Sequence, residues 1–218
     1  MKIGFLFDLD GTLLDTLQDL TNATNHTLRA FGLPERTAEE VRRFVGNGAE
    51  QLIRRSLPGR EDDPDALEVL AAYKVYYNAN CQVKTKPYDG IPEALERLGK
   101  RCPIAIVSNK PDSATKTLCA QYFPGVYARG EDADCPRKPA PDMILKTMAE
   151  LGIEKCVYVG DSEVDVVTAN NAGMPCLSVT WGFRDRETLA CAGAKWLCDT
   201  PTRMAAMLEE MAGELDGE

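Results

Sequence analysis

The chain has 218 residues, 44% of them hydrophobic, and a formal net charge of −9, which suits one sizeable domain, or a core carrying a smaller one, with a normal buried interior. The acidic balance excludes nucleic acid as a partner, because gripping a phosphate backbone takes a clustered basic face. The opening MKIGFLFDLD turns acidic after a few apolar residues, too soon for a signal peptide, and no run approaches membrane-spanning length, so a cytoplasmic protein with no membrane partner is expected.

In chain order, KIGFLF (2–7) reads as a strand, and the next stretch breaks any strand rhythm. From about Asp15 to about Cys81 the patterns DTLQDLTNATNHTLRAFG, TAEEVRRFV, GAEQLIRRSL and DPDALEVLAAYKVYYNAN are helical, giving a helical insertion at 15–81 within a core formed by 1–14 and 82–218. Then PEALERLGK reads as a helix, CPIAIVSN as a strand, APDMILKTMAELG as a helix, CVYVGD as a strand, DVVTANNAG as a helix, and PCLSVTW and AKWLCD as strands. The acidic tail LEEMAGELDGE reads as a terminal helix that frays. Strand–helix alternation predicts an α/β fold, a mostly parallel sheet interrupted by a helical insertion.

Eight cysteines carry no CxxC pair and several sit in apolar runs, which reads as buried, reduced thiols; Cys81 and Cys135 fall in predicted loops or helix ends. His26 is the only histidine, which excludes a multi-histidine metal site and argues against a Ser-His-Asp triad. It lies off the apolar stripe of the first helix of the insertion and is expected in solvent.

In open parallel sheets, ligands bind beyond the carboxyl ends of the strands. FDLDGT ends the first strand with Asp8 and Asp10, two residues apart, followed by Gly11, which permits a close backbone approach. IAIVSNK ends in Ser108 and Asn109, VYVGDSEVD in Asp161 with Asp165 a turn later, and CPRKPAPD holds Lys138 before a proline in an extended loop. Taken singly these have plainer readings: Asp10–Gly11 as a turn, Asp15 or Thr16 as a helix cap with Asp19 completing a capping box, Ser162 and Asp165 as another, Lys138 as a solvated charge. Gathered at one sheet edge, the acids would repel unless a cation and an anion organise them. Carboxylates without histidine or thiolate suit a hard oxygen-seeking ion, Mg²⁺, and Mg²⁺ suggests a phosphate ester.

With the four segments FDLDGT (7–12), VSN (107–109), RKPAP (137–141) and GDSEVD (160–165) in order, the chain resembles the haloacid dehalogenase superfamily. The resemblance implies Asp8 as nucleophile, Asp10 as general acid and base, and Ser108, Asn109, Lys138 and Gly11 around the phosphate. It also implies Mg²⁺ held by Asp8, the main-chain carbonyl of Asp10 and Asp161, with Asp165 acting through the metal's water shell. It implies a Rossmann-like, doubly wound parallel sheet as the core, and the helices at 15–81 fall where subclass I places its inserted α-helical cap. Asp10 argues for phosphoryl chemistry over dehalogenation, the absence of lysine from Thr16 to Leu20 argues against phosphonate cleavage, and Leu20 stands where β-phosphoglucomutase-type mutases carry a histidine.

The segment RRFVGNGAEQLIRRSL (42–57) resembles that of phosphoglycolate phosphatases, so Gly46, Asn47 and Gly48 are expected to set specificity over the site. A helix starting at Ala49 would suit a carboxylate, with Arg42, Arg43, Arg54 and Arg55 around it or covering a solvated face. The expected enzyme is a Mg²⁺-dependent phosphatase for small phosphorylated metabolites, foremost 2-phosphoglycolate, acting as monomer or homodimer. The alternatives are a pyrophosphatase or other small-ester phosphatase of the same family, a phosphotransferase or mutase, and a silent binding protein.

Overall fold

The computed structural model describes residues 1–57 and 66–217. Its central strand is β1 (Ile3–Phe7), every residue buried, and the larger sheet has the order β5–β4–β1–β6–β7–β8, parallel throughout, with β4 (Ile104–Pro111), β5 (Tyr127–Glu131), β6 (Lys155–Gly160), β7 (Cys176–Val179) and β8 (Trp196–Cys198). The chain leaves β1 towards β4 and β5, then returns to β6 on the other side. The order therefore reverses beside β1, whose carboxyl end borders the crevice where doubly wound sheets bind ligands.

The period-2 alternation of the strands sorts their side chains onto two faces. Phe5, Phe7, Ile106, Val157 and Val159 join one apolar cluster with α5 (Ile91–Gly99), α6 (Asp112–Tyr122) and α10 (Pro201–Gly217). Leu6, Ala105, Val107, Cys156 and Tyr158 join a second, with α7 (Asp142–Leu151) and α8 (Glu163–Asn171). Each fully buried Leu or Phe of these layers is worth about 1.5–3 kcal/mol.

Between β2 (Leu14–Asp15) and β3 (Lys86–Pro87), which pair antiparallel, lie α1 (Leu17–Ala30), α2 (Ala38–Phe44), α3 (Gly48–Ser56) and α4 (Ala66–Asn80), with no strand among the described residues. The first three residues of the expected fourth helix, 63–65, lie outside the described residues. Helix α2 has a capping box: Thr37 N–H donates to Glu40 Oε2 at 2.7 Å and Glu40 N–H to Thr37 Oγ1 at 3.2 Å. The box expected at Thr16 and Asp19 does not form. Leu17 N–H donates instead to Asp15 Oδ1, and the buried Asp19 carboxylate accepts the Lys84 and Thr85 amides and the Thr85 hydroxyl, tying α1 to the returning connection.

Five elements were not expected from the sequence: the short pair β2 and β3, β5, α6 and α9 (Arg186–Cys191). β5, YARGE, is a half-buried edge strand, so it lacks the apolar run that marks the inner strands. The tail helix begins at Pro201, earlier than its acidic end suggests, and packs through Met204, Leu208 and Met211. His26 is exposed, with its ring stacked on Tyr76 at a centroid distance of 3.7 Å. All eight cysteines are free; Cys191 is exposed, Cys102 is half-buried, and Cys81 and Cys135 are buried. No helix among the described residues is long and apolar enough to cross a membrane.

Candidate active site

The ladder of β1 runs on into the site: Asp8 N–H donates to the Val159 carbonyl of β6 at 2.8 Å, which holds the Asp8 backbone at the sheet edge. Its carboxylate Oδ1 is buried, makes no hydrogen bond among the described residues, and lies 3.0 Å from the ammonium of Lys138. Lys138, in the loop before α7, is only 2% exposed and follows no helix; its peptide bond to Pro139 is cis. Its Nζ donates to Asp165 Oδ1 and to Tyr158 Oη, each at 2.8 Å. Burial alone would lower the Lys138 pKa, but the Asp165 and Asp8 carboxylates outweigh it and hold the ammonium above its ordinary value.

Asp161, at the end of β6, accepts from Thr12 Oγ1 at 2.9 Å and from Phe183 N–H at 2.7 Å. Gly11 has φ 82° and lies so close that a Cβ on it would stand 2.3 Å from Asp161 Oδ2, so a side chain is excluded there by both conformation and space. The Gly11 N–H is itself bonded to the Leu14 carbonyl at 2.9 Å, so the glycine makes room for Asp161 and does not offer its own amide to a ligand. Asp165 Oδ2 accepts both N–H (3.1 Å) and Oγ (2.6 Å) of Ser162.

One oxygen each from Asp8, Asp161 and Asp165 lie within 4.8 Å of one another, all three residues buried. Burial, joined by the Asp165 and Asp10 charges and opposed by Lys138, pushes the Asp8 carboxyl up to about 6. Burial, then Asp165 and Asp8, hold Asp161 well above the usual carboxylate range despite its hydrogen bonds from Phe183 and Thr12. Such a cluster sets three buried carboxylates against the single ammonium of Lys138, and that shortage of positive charge suits a hard cation. Asp165 is already served by Lys138, Tyr158 and Ser162 donors, which fits support better than direct ligation.

Asp10 points elsewhere. Both of its oxygens lie 2.8 Å from Lys110 Nζ, which also donates to Tyr77 Oη of α4 at 2.5 Å. Ser108 is 2% exposed and lines the same cavity. Asn109 also lines it, but its side-chain amide is committed: Nδ2 donates to the Gly46 and Lys138 carbonyls at 3.1 and 2.9 Å, and Oδ1 accepts Lys138 N–H at 2.8 Å. Its side chain thus braces the lysine loop against the α2–α3 turn.

These groups face a cavity of about 40 Å³, roofed by Leu20, Val45, Gly46, Gly48, Leu52, Tyr73 and Tyr77. Gly46 and Gly48 reach it; Asn47 and Arg42, Arg43, Arg54 and Arg55 do not line it, and α3 starts at Gly48, one residue before the expected Ala49. Arg42 instead donates to the Phe183 and Gly182 carbonyls at 2.9 and 2.7 Å, while Arg184 returns the contact, donating to the Arg42 and Val45 carbonyls at 2.8 Å each. This reciprocal pair fastens the end of α2 to the loop that supplies Phe183 N–H to Asp161. Arg54 is paired with Glu50 along its own helix, and Arg55 donates to the Phe44 carbonyl.

Lys110, Tyr77, Tyr158, Thr12 and Arg184 were not singled out from the sequence. Lys110 directly follows Ser108 and Asn109 at a strand end, which is the one local signal that could have marked it.

Residues 5–179 match the family described as haloacid dehalogenase-like hydrolase. Phosphoglycolate phosphatase 1 of Pseudomonas aeruginosa is 35% identical over 195 residues, covering 85% of this chain and 72% of its own. Phosphoglycolate phosphatase of Rhodobacter capsulatus is 36% identical over 193 residues, covering 84% and 87%. A solved structure from Lactobacillus delbrueckii subsp. bulgaricus, of a protein assigned by prediction as a phosphoglycolate phosphatase, superposes with a TM-score of 0.89 at 35% identity, covering 94% of this chain and 97% of that one.

Proposed function

The chain belongs to the haloacid dehalogenase-like hydrolases and is a phosphoric monoester hydrolase for a small phosphorylated substrate, and we propose that this substrate is 2-phosphoglycolate, hydrolysed with Mg²⁺. The reading rests above all on one observation: Asp8, Asp10, Ser108 and Asp161, carried on or just beyond β1, β4 and β6, face one small cavity, with Lys138 against Asp8. A cavity of about 40 Å³ holds only about three water-sized groups, so even a small phosphate ester needs the roof to move, and the smallest esters need the least movement. Relatives bearing the phosphoglycolate phosphatase name support the choice among small esters.

The roles follow from the surroundings. Asp8 attacks phosphorus, forming an aspartyl-phosphate as the bond to the leaving oxygen breaks; Asp10 protonates that oxygen and then takes a proton from the water that releases phosphate. Lys138 neutralises Asp8, and the Ser108 hydroxyl faces the phosphoryl oxygens. Mg²⁺, held by Asp8, Asp161 and the Asp10 main-chain carbonyl with Asp165 in support, would neutralise charge gathering on the phosphoryl group. The helices within 15–81 serve as a cap that closes over the site and excludes water, and the remainder of the chain serves as the catalytic core. Leu20 lines the cavity and carries no acid–base group, which favours water over a sugar hydroxyl as acceptor.

Phosphate release from 2-phosphoglycolate, pyrophosphate, sugar phosphates, nucleoside monophosphates and p-nitrophenyl phosphate, with Mg²⁺ and with a chelator, tests the reading. The expected result is a marked kcat/KM preference for 2-phosphoglycolate that vanishes on chelation; broad weak activity would discard the named substrate, and activity surviving chelation would discard the metal. Asp10→Asn is expected to cost about 100-fold or more with 2-phosphoglycolate and much less with p-nitrophenyl phosphate, whose departing oxygen needs little protonation. Equal losses on both esters would remove Asp10 from the acid role.

A further inference from the structure

We propose that Lys110, assisted by the Tyr77 hydroxyl, is the receptor for a carboxylate on the leaving group, and so the residue that separates 2-phosphoglycolate from uncharged esters of the same size. The proposal rests on the substrate reading above. Its starting point is charge: a substrate with a carboxylate beside its phosphoryl group brings a second anion into a cavity already lined by Asp8, Asp10 and Asp161. That anion needs a cation of its own.

Among the described residues, the cations lining the cavity are Lys110 and Arg184. Arg184 is fully engaged: Nε and Nη2 face Glu163, Nη1 donates to the Arg42 carbonyl, and Nη2 also to that of Val45. Releasing it would unfasten α2 from the core. Lys110 is bound differently, with its side chain 2% exposed and its Nζ against Asp10 and Tyr77 only. Its three protons serve two partners, two of them going to Asp10, so one can turn from an Asp10 oxygen to a new acceptor while the other two keep Asp10 and Tyr77.

Its position suits that acceptor. Asp10 is placed to touch the leaving oxygen, and in a glycolyl ester the carboxylate carbon is two covalent bonds beyond that oxygen. An ammonium 2.8 Å from Asp10 is therefore within one hydrogen bond of where that carboxylate arrives. Tyr77 adds a second donor from α4, because Lys110 uses only its oxygen and leaves the phenol proton available. Burial, reinforced by the Asp10 charge, keeps that phenol protonated far above its ordinary range. A charge-assisted contact to a buried ammonium discriminates strongly against a ligand that leaves it unmade. The contact also ties recognition to closure, since Tyr77 belongs to the roof and Lys110 to the sheet.

Ethyl phosphate, which replaces the carboxylate by a methyl group, is the control ester. Wild type is expected to prefer 2-phosphoglycolate to ethyl phosphate in kcat/KM, and Lys110→Met to cut that ratio by about 10- to 100-fold, chiefly through KM for 2-phosphoglycolate. A purely structural role, acting through Asp10, would slow both esters alike and leave the ratio within about threefold; that result overturns the proposal. Tyr77→Phe is expected to lower the ratio by a smaller factor. If Lys110→Met fails to fold by circular dichroism, Lys110→Gln carries the same comparison. A wild-type enzyme that does not discriminate between the two esters would overturn the substrate reading itself, whereas wild-type discrimination that survives in the Lys110 variants would overturn only the role given to Lys110.

Discussion

Asp8→Asn is expected to abolish turnover, by at least about 1,000-fold, while the metal-free protein melts at the same or a higher temperature than wild type at pH 8. The two halves have one cause. Asp8 is buried and short of positive charge, so its folded-state carboxyl is pushed up to about 6, above the ordinary value of 3.8, with burial the largest contribution. A carboxyl whose folded pKa is raised binds its proton more tightly in the folded than in the unfolded chain. Its charge therefore costs stability progressively as pH rises from about 4 to about 6, and the full cost stands at pH 8. Asparagine keeps the shape and removes the charge, and Lys138 retains its bonds to Asp165 and Tyr158. Thermal melting in chelator, paired with phosphate release in Mg²⁺, reads both quantities. Near-normal turnover would sink the nucleophile assignment, and a clearly lowered melting temperature would show that the Asp8–Lys138 attraction outweighs burial.

Lys138→Met is expected to lose activity and to lower stability by about 3–5 kcal/mol, a fall of roughly 10 °C for a chain of this size. The ammonium bridges Asp8 at 3.0 Å and Asp165 at 2.8 Å, and no described cation replaces it against Asp165. Deleting it leaves two buried carboxylates facing each other, which costs far more than deleting a surface ion pair. Because Mg²⁺ would bring positive charge to the same cluster, it is expected to raise the melting temperature of the variant more than that of wild type. Melting curves with and without Mg²⁺ check this. A variant within about 2 °C of wild type, or one indifferent to Mg²⁺, would mean that Lys138 does not serve as the buried counter-charge of the site.

Much of this arrangement is legible in the chain. The apolar run before Asp8 and the runs before Ser108 and Asp161 have the unbroken hydrophobicity of strands buried on both faces, and parallel packing brings their carboxyl ends to one edge. Local pattern is enough for that, because the strand period and the sheet's burial act within a few residues. The same rule explains what was missed: edge strand β5 is half-exposed and polar, so it leaves no apolar signature. Asp19 shows the limit of local rules, since its short-range capping partner loses to the amides of Lys84 and Thr85, brought to it across the insertion.

By itself, then, the sequence determined the α/β class, the inner strands with most of the helices around a helical insertion, and the set of acids, hydroxyl and lysine that meet at the sheet edge. Only the tertiary structure decided how those groups divide their partners: Lys138 with Asp8 and Asp165, Lys110 with Asp10 and Tyr77, Asn109 with the lysine loop, and Arg42 and Arg184 with carbonyls instead of the cavity. The physical reason is range. Backbone period and burial are set by near neighbours in the chain, whereas a buried charge takes whichever counter-charge or donor the fold brings within 3 Å, and Lys110 and Asp10 are 100 residues apart before it does so.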